Sequence, residues 1–120
     1  MAKPKPSRAG IYTAHHYFAD MGARKIRPFA QLIRHKPVDE ALELLRYYPN
    51  RGARLLENAV RSAVANAADQ GVRRTEELIV VEARVDDGPM WKRVEPRARG
   101  MAYLIRRRLS HIHVALVAAS

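Results

Sequence analysis

The chain contains no cysteine, which removes disulfide cross-links, thiolate zinc sites and cysteine nucleophiles together. Aromatic residues make up only 7% of it, so the interior has to be built from Ala, Val, Leu and Ile. No apolar run comes near the roughly eighteen residues that a membrane span requires. The basic opening "MAKPKPSRAG" is not followed by the apolar segment of a secretory signal. Acidic residues are the last shortage, twelve against twenty-two Lys and Arg, for a formal net charge of +10. A polypeptide with that surplus repels itself when alone and calls for a polyanionic partner.

What is present narrows the partner. Lysine occurs only at positions 3, 5, 25, 36 and 92, so most of the positive charge is arginine. Arginine's planar fork suits bidentate phosphate contact and base stacking better than an ammonium does, which favours nucleic acid over an anionic membrane. At 120 residues the chain is one domain by length and large enough to bury a core without staples.

The pattern divides into a flexible basic arm at residues 1–10 and a single domain at 11–120. "IYTAHHYFAD" (11–20) reads as a strand joining a sheet. In "GARKIRPFAQLIRHKP" (22–37), Ile26, Phe29, Ala30 and Ile33 fall at helical spacing; Pro28 requires that the helix either start near Arg27 or bend. "VDEALELLRYY" (38–48) is a short helix between Pro37 and Pro49, with Val38, Ala41, Leu42 and Leu45 on one face. "NRGARLLENAVRSAVANAADQG" (50–71) is the longest helix, with Asn50 placed to cap its start and Gly71 its end. The period then changes to two. Ile79, Val81, Ala83 and Val85 alternate as the inward residues of a strand over 77–87, and Ile112, Val114 and Leu116 do so in a closing strand. Helices segregated from antiparallel strands predict an α+β domain, with three helices packed on a small antiparallel sheet and a long protruding hairpin at about 85–104.

That hairpin holds "GPMWKRVEPRARG" (88–100), with Lys92, Arg93, Arg97 and Arg99 against the single anion Glu95. Its arms predict a projection of about 20–30 Å at 3.3 Å per residue, with Met90 and Trp91 at the tip. An isolated hairpin of that length is marginal in water, so it is to be ordered by what it binds. Arg24, Lys25 and Arg27 crowd a helix start, where the dipole disfavours cations unless phosphate approaches; Arg34 and Lys36 continue the basic stretch. Arg106, Arg107 and Arg108 are consecutive in a strand and so point to both faces.

Several stretches resemble, in order, the bacterial-type large-subunit ribosomal protein L twenty-two family. "ARKIRPFAQLIRHKPVDEALELLRY" is similar to its first two helices, and "NRGARLLENAVRSAVANAAD" to its long helix. "LIVVEARVDDGPMWKRVEPRARG" matches its strand and extended loop, and "RRLSHIHVAL" its closing strand, so the likeness runs from about residue 20 to 117. The chain departs from the family's usual residues at Gly22-Ala23, Pro28, His35 and Met101. The resemblance implies a non-enzymatic constituent of the cytoplasmic large ribosomal subunit, without cofactor or small-molecule substrate. Its partners would be large-subunit (23S-type) rRNA, neighbouring ribosomal proteins and the nascent polypeptide. It would help rRNA assemble, and its extended hairpin would line the polypeptide exit tunnel. The rRNA-binding set it implies is Arg24, Lys25, Arg27, Arg34, Lys36, Lys92, Arg93, Arg97, Arg99, Arg106, Arg107 and Arg108, with Met90, Trp91, Lys92 and Arg93 at the hairpin tip.

Two other function classes are weighed against this one. A free-standing nucleic-acid-binding regulator has the same charge. A metal-dependent nuclease needs convergent carboxylates, and the adjacent Asp86 and Asp87 point to opposite faces of a strand without a bulge. His15-His16 and His111-x-His113 lack a third ligand at recognisable spacing, and His111 reads instead as a hydrogen-bond donor to backbone or phosphate. Ser62 and Asn66 share a helix face and read as packing or local hydrogen-bonding residues.

Overall fold

The computed structural model describes residues 11–72, 74–96, 98–100 and 102–118, without side chains at 75, 91, 93–96, 98 and 102–106. The arm assigned to residues 1–10, and the cation Arg97, lie outside the described residues. Six principal elements follow in order: β1 (Ile11–Ala19), α1 (Ala23–Ile33), α2 (Val38–Tyr47), α3 (Arg51–Asp69), β2 (Leu78–Pro96) and β3 (Ala102–Ala118). The strands form one antiparallel sheet in the order β1-β3-β2, and the three helices pack on it, as expected of an α+β domain. Among the described residues no helix is long and apolar enough to cross a membrane.

Spacing decides which helix faces go inside. Ala23, Ile26, Ala30 and Ile33 recur along one face of α1 and are buried. The helix starts at Ala23 and continues past Pro28, so the proline lies inside it rather than in its first turn. Pro28 is exposed, and the Arg24 carbonyl it leaves without an amide partner belongs to an exposed residue. In α2, Val38, Ala41 and Leu45 are buried while Leu42 is partly covered.

Helix α3 buries mainly alanine, with Ala53, Ala59, Ala63 and Ala67 beside Leu56 and Val60, which lets its neighbours approach closely. Its start departs from expectation: the Asn50 side chain makes no cap hydrogen bond, and only its carbonyl accepts, from the Arg54 amide at 3.3 Å. Its end is as expected. Gly71 adopts a φ of 100°, the Gly71 amide donates to the Ala68 carbonyl at 3.1 Å, and the Val72 amide donates to the Ala67 carbonyl at 3.0 Å. These two bonds make a Schellman closure, which wants glycine at the left-handed position.

The inward face of β2 reverses phase part-way. Leu78 and Val80 are buried, Val81 is 39% exposed, and Ala83 and Val85 are buried again. The expected inward set Ile79, Val81, Ala83 and Val85 therefore holds only in its second half. The cause is a bulge: Val80 pairs with Leu116 and Glu82 with Ala115, leaving Val81 extra. One inserted residue exchanges the two faces of a strand. In β3, Ile112, Val114 and Leu116 all point into the core, as read.

Arg54 joins α3 to the end of α2. Its Nη2 donates to the Leu45 carbonyl and, at 2.8 Å, to the Tyr48 carbonyl, meeting acceptors that a helix C-terminus leaves open. Glu57, 5% exposed, holds that guanidinium at 3.4 Å with Arg61 at 3.6 Å and Arg46 at 3.8 Å. Hydrogen bonds to a charged group each contribute about 1.5–3 kcal/mol. Arg54→Ala is therefore expected to destabilise the fold by about 2 kcal/mol in urea unfolding, and a loss within about 0.5 kcal/mol, the usual range for a surface change, would contradict this role.

Candidate nucleic-acid interface

A strand edge exposes backbone donors and acceptors that need partners. Within the body the outer edge of β2 is supplied by α1 and the turn after it. The His35 amide donates to the Val80 carbonyl at 2.7 Å, and the Val80 amide to the Lys36 carbonyl at 3.0 Å. Arg34 Nε donates to the Ala83 carbonyl at 2.9 Å and Arg27 Nε to the Val85 carbonyl at 3.1 Å. Arg27 also faces Asp87 at 3.7 Å. Two cations of the predicted rRNA-binding set thus stitch α1 to the sheet edge, and Lys36 pairs with Glu40 at 3.8 Å. On the opposite flank β1 covers β3 from Val117 to Ser110.

Beyond Asp87 and Ser110, β2 and β3 continue as a two-stranded ribbon, and among the described residues no third strand joins it. Its root is a second irregularity, between Asp87 and Met90. There a Cβ on Gly88 would lie 3.0 Å from the Leu109 carbonyl carbon and oxygen, so any side chain would have to push the two backbones apart. The ladder then runs from Met90 opposite Arg108 to Pro96 opposite Ala102. A turn around Ala98–Gly100 closes it, with Arg99 and Gly100 at φ of 67° and 71°.

This register corrects the expected tip. Residues 86–96 are paired strand rather than loop, so Met90, Trp91, Lys92 and Arg93 lie along the shaft, and the chain reverses between Pro96 and Ala102. The eight steps from Gly88 to Pro96 give about 26 Å of ribbon at 3.3 Å per residue. The ladder sets Trp91 opposite Arg107 and Lys92 opposite Arg106. Like charges directly across a ladder destabilise it, so the shaft is poorly made for water and well made for a polyanion. Met90, Lys92, Arg99, Arg107 and Arg108 are exposed, as are Arg24 and Lys25 on α1.

Asp20, which carried no signal in the sequence, organises the junction of ribbon and body. Its carboxylate accepts from Arg107 Nε at 2.9 Å and from Arg107 Nη2, and from Arg51 Nη2 at 3.3 Å. The Arg107 hydrogen bonds hold the Asp20 carboxyl below the usual range and raise the Arg107 guanidinium above its own. Arg51 was equally absent from the sequence reading. By contrast Arg54, Glu57 and Arg61 stand at three- and four-residue spacing on one helix, a pattern that signals their pairing.

The outer face of the sheet gathers histidines. His15 Nδ1 and His113 Nδ1 lie 2.7 Å apart, so one ring supplies the proton and the other accepts it. His113 Nε2 faces Asp86 at 3.3 Å. His111 accepts the Phe18 amide on Nδ1 at 3.1 Å, which leaves Nε2 as its donor nitrogen; that contact secures Phe18 at a φ of 59°. Among the described residues no group of three or more acidic, histidine or cysteine side chains is arranged to hold a metal ion. Asp86 turns to Arg84 at 3.1 Å and Asp87 to Arg27, so the two carboxylates do not converge. Asn66 Nδ2 donates to the Thr13 carbonyl at 2.8 Å, a packing role that ties α3 to β1, while Ser62 is exposed.

A small helix-covered antiparallel sheet that extends into a basic ribbon makes this an α+β protein with a protruding arm. The chain belongs to the family described as ribosomal protein L22p/L17e, whose model matches residues 14–117. It is similar to the large ribosomal subunit protein uL22 of Rhodopirellula baltica, 49% identical over 110 residues, which cover 88% of this chain and 92% of that one. The protein of the same name from Caldicellulosiruptor saccharolyticus is 46% identical over 104 residues, covering 87% and 85%. That of Akkermansia muciniphila is 42% identical over 103, covering 86% and 92%.

His113 yields a pH prediction. Burial, with help from Arg84 and His15, pushes its imidazole below the ordinary histidine value, against an opposing pull from Asp86. The unfolded chain therefore binds the proton more readily than the folded one, and stability falls as pH drops below about 6.5. The thermal midpoint should decline between about pH 7 and 5, and His113→Gln should flatten that decline; an identical slope in the variant would contradict the assignment.

Proposed function

We propose that the chain is a constituent of the large ribosomal subunit in the cytoplasm, where its body and ribbon bind rRNA and the ribbon reaches the exit tunnel met by the nascent polypeptide. One observation carries this reading: among the described residues no third strand joins the ribbon beyond Asp87 and Ser110, yet its sequence bears cations on both strands. Folded rRNA supplies what such an arm lacks, namely phosphates for Lys92, Arg93, Arg97, Arg99 and Arg106–Arg108, and bases against Met90 and Trp91. Base stacking on an aromatic ring contributes about 1–3 kcal/mol. The relatives' shared name, large ribosomal subunit protein uL22, supports the same assembly, with neighbouring ribosomal proteins as further partners. The role is structural: displaced counterions let rRNA segments pack closely during assembly, with no catalytic step, cofactor or small-molecule substrate. Arg24 and Lys25, cations in the first turn of α1 where the dipole opposes them, extend the contact onto the body.

The test is the salt dependence of binding to large-subunit rRNA fragments. Each neutralised phosphate adds roughly 0.7–0.9 to the slope of log affinity against log salt. Changing Lys92, Arg93, Arg97 and Arg99 together to alanine should lower the slope by about three. An unchanged slope would remove the ribbon from the interface. Failure of the chain to sediment with large subunits at moderate salt would favour a free-standing regulator instead.

A further inference from the structure

We propose that the cleft where the starts of α1 and α3 meet the root of β3 seats one nucleotide of an RNA strand. Its phosphodiester would lie on Lys25, Arg51 and Arg107 and its base against Met21 and Phe29. This deepens the rRNA-binding reading and rests on it.

Two adjoining hollows form the cleft. One, of about 330 Å³, is walled by Lys25, Arg51, Arg107 and Arg108 with Asp20 as its only acid. The other, of about 450 Å³, continues between α1 and α3 over Met21, Pro28 and Phe29. Met21, Lys25 and Arg51 line both, so a cationic half runs directly into an apolar half, which is the division between a phosphate and a base. Arg51 and Arg107 already close on one oxyanion, the Asp20 carboxylate, and so stand at the separation at which two guanidiniums share an anion. Among the described residues neither Lys25 nor Arg108 has an acidic partner, so the surplus charge faces the opening.

The helices agree with this. Helix α2 begins conventionally, with Asp39 and Glu40 in its first turn. Helices α1 and α3, which begin at the cleft, have no acid in the first turn and no side-chain cap; Arg24, Lys25, Arg51 and Arg54 stand there instead. Cations at a helix N-terminus oppose the dipole, and an anion in the cleft would reverse that cost. The apolar half is fixed in shape. A Cβ on Gly52 would meet the Lys25 carbonyl oxygen at 3.2 Å and Met21 Sδ at 3.4 Å, so a side chain there would crowd the α1 backbone. Phe29 is held edge-on by Tyr48 with ring centroids 5.5 Å apart.

The site is tested on the full chain with two probes, the dinucleoside monophosphate UpU and inorganic phosphate, followed by amide and methyl NMR. UpU should shift the amides of Ala23 and Gly52 together with the Met21 methyl and Phe29 ring signals, saturably; inorganic phosphate should shift the amides alone. The double change Lys25→Ala with Arg51→Ala should abolish both responses and, with one phosphate lost from the seat, lower the salt slope for rRNA by about one. Phe29→Leu should leave the phosphate response and erase the advantage of UpU. Absence of a saturable shift, or a double variant that binds rRNA with the parent slope, overturns the seat while leaving rRNA binding standing. If no form of the chain binds rRNA, the seat falls with the reading beneath it.

Discussion

Backbone hydrogen bonding at the edges of β2 and β3 decides what kind of object this protein is. Up to Val85 the β2 edge is closed by the His35 amide, the Lys36 carbonyl and the side chains of Arg34 and Arg27. Up to Ser110 the β3 edge is closed by β1. Over that span one face of the sheet carries the apolar core, where each buried aliphatic side chain contributes about 1.5–3 kcal/mol. Past Gly88, among the described residues, no third strand lies beside the pair, while strand pairing continues to Pro96 of β2. In the proposed function the remaining stabilisation comes from a second molecule, and the charge on the strands favours a polyanion. The Cα radius of gyration, 17.5 Å, exceeds the roughly 14 Å of a compact chain of this length, as an extended arm requires.

The junction between body and arm is correspondingly fixed. Gly88 lets the two backbones approach so closely that a Cβ would crowd the Leu109 carbonyl. Asp20 clamps Arg107 of the arm and Arg51 of the body to one carboxylate, and Arg27 reaches from α1 to Val85 and Asp87. Such exposed pairs contribute little one by one. Together they set the direction in which a long lever leaves a small domain. Arg27, Arg34, Arg51 and Arg107 thus make internal bonds at the body and the root, while Arg99 at the far turn is exposed.

Much of this was legible in the sequence because periodicity and charge are local properties. Ile26, Ala30 and Ile33 announced one helix face, Ile112, Val114 and Leu116 one strand face, and the run from Gly88 to Gly100 its own abnormality. The lost parts depend on long-range geometry. The bulge at Val81 exchanges the faces of β2 because the turn at His35 and Lys36 captures Val80, and nothing beside Val81 in the chain signals that contact. Met90 and Trp91 read as a tip because strand pairing through Pro96 has no local marker; the proline itself suggests an end. Asp20 is a lone acid in the sequence, and its meaning comes only from Arg107, eighty-seven positions away. Arg27 and Arg34 read correctly as cations of a basic patch, but their bonds to β2 carbonyls required the fold.

Amide hydrogen exchange, on the free chain and on the chain bound to large-subunit rRNA, tests most directly whether the arm takes its order from RNA. The account predicts strong protection at Val80, Val114 and Leu116 in both states. Amides from Met90 to Glu95 and from Ala102 to Arg107 should exchange nearly unhindered in the free chain and become protected in the complex. Equal and strong protection of arm and body in the free chain would show that the ribbon is stable by itself, and would contradict the account.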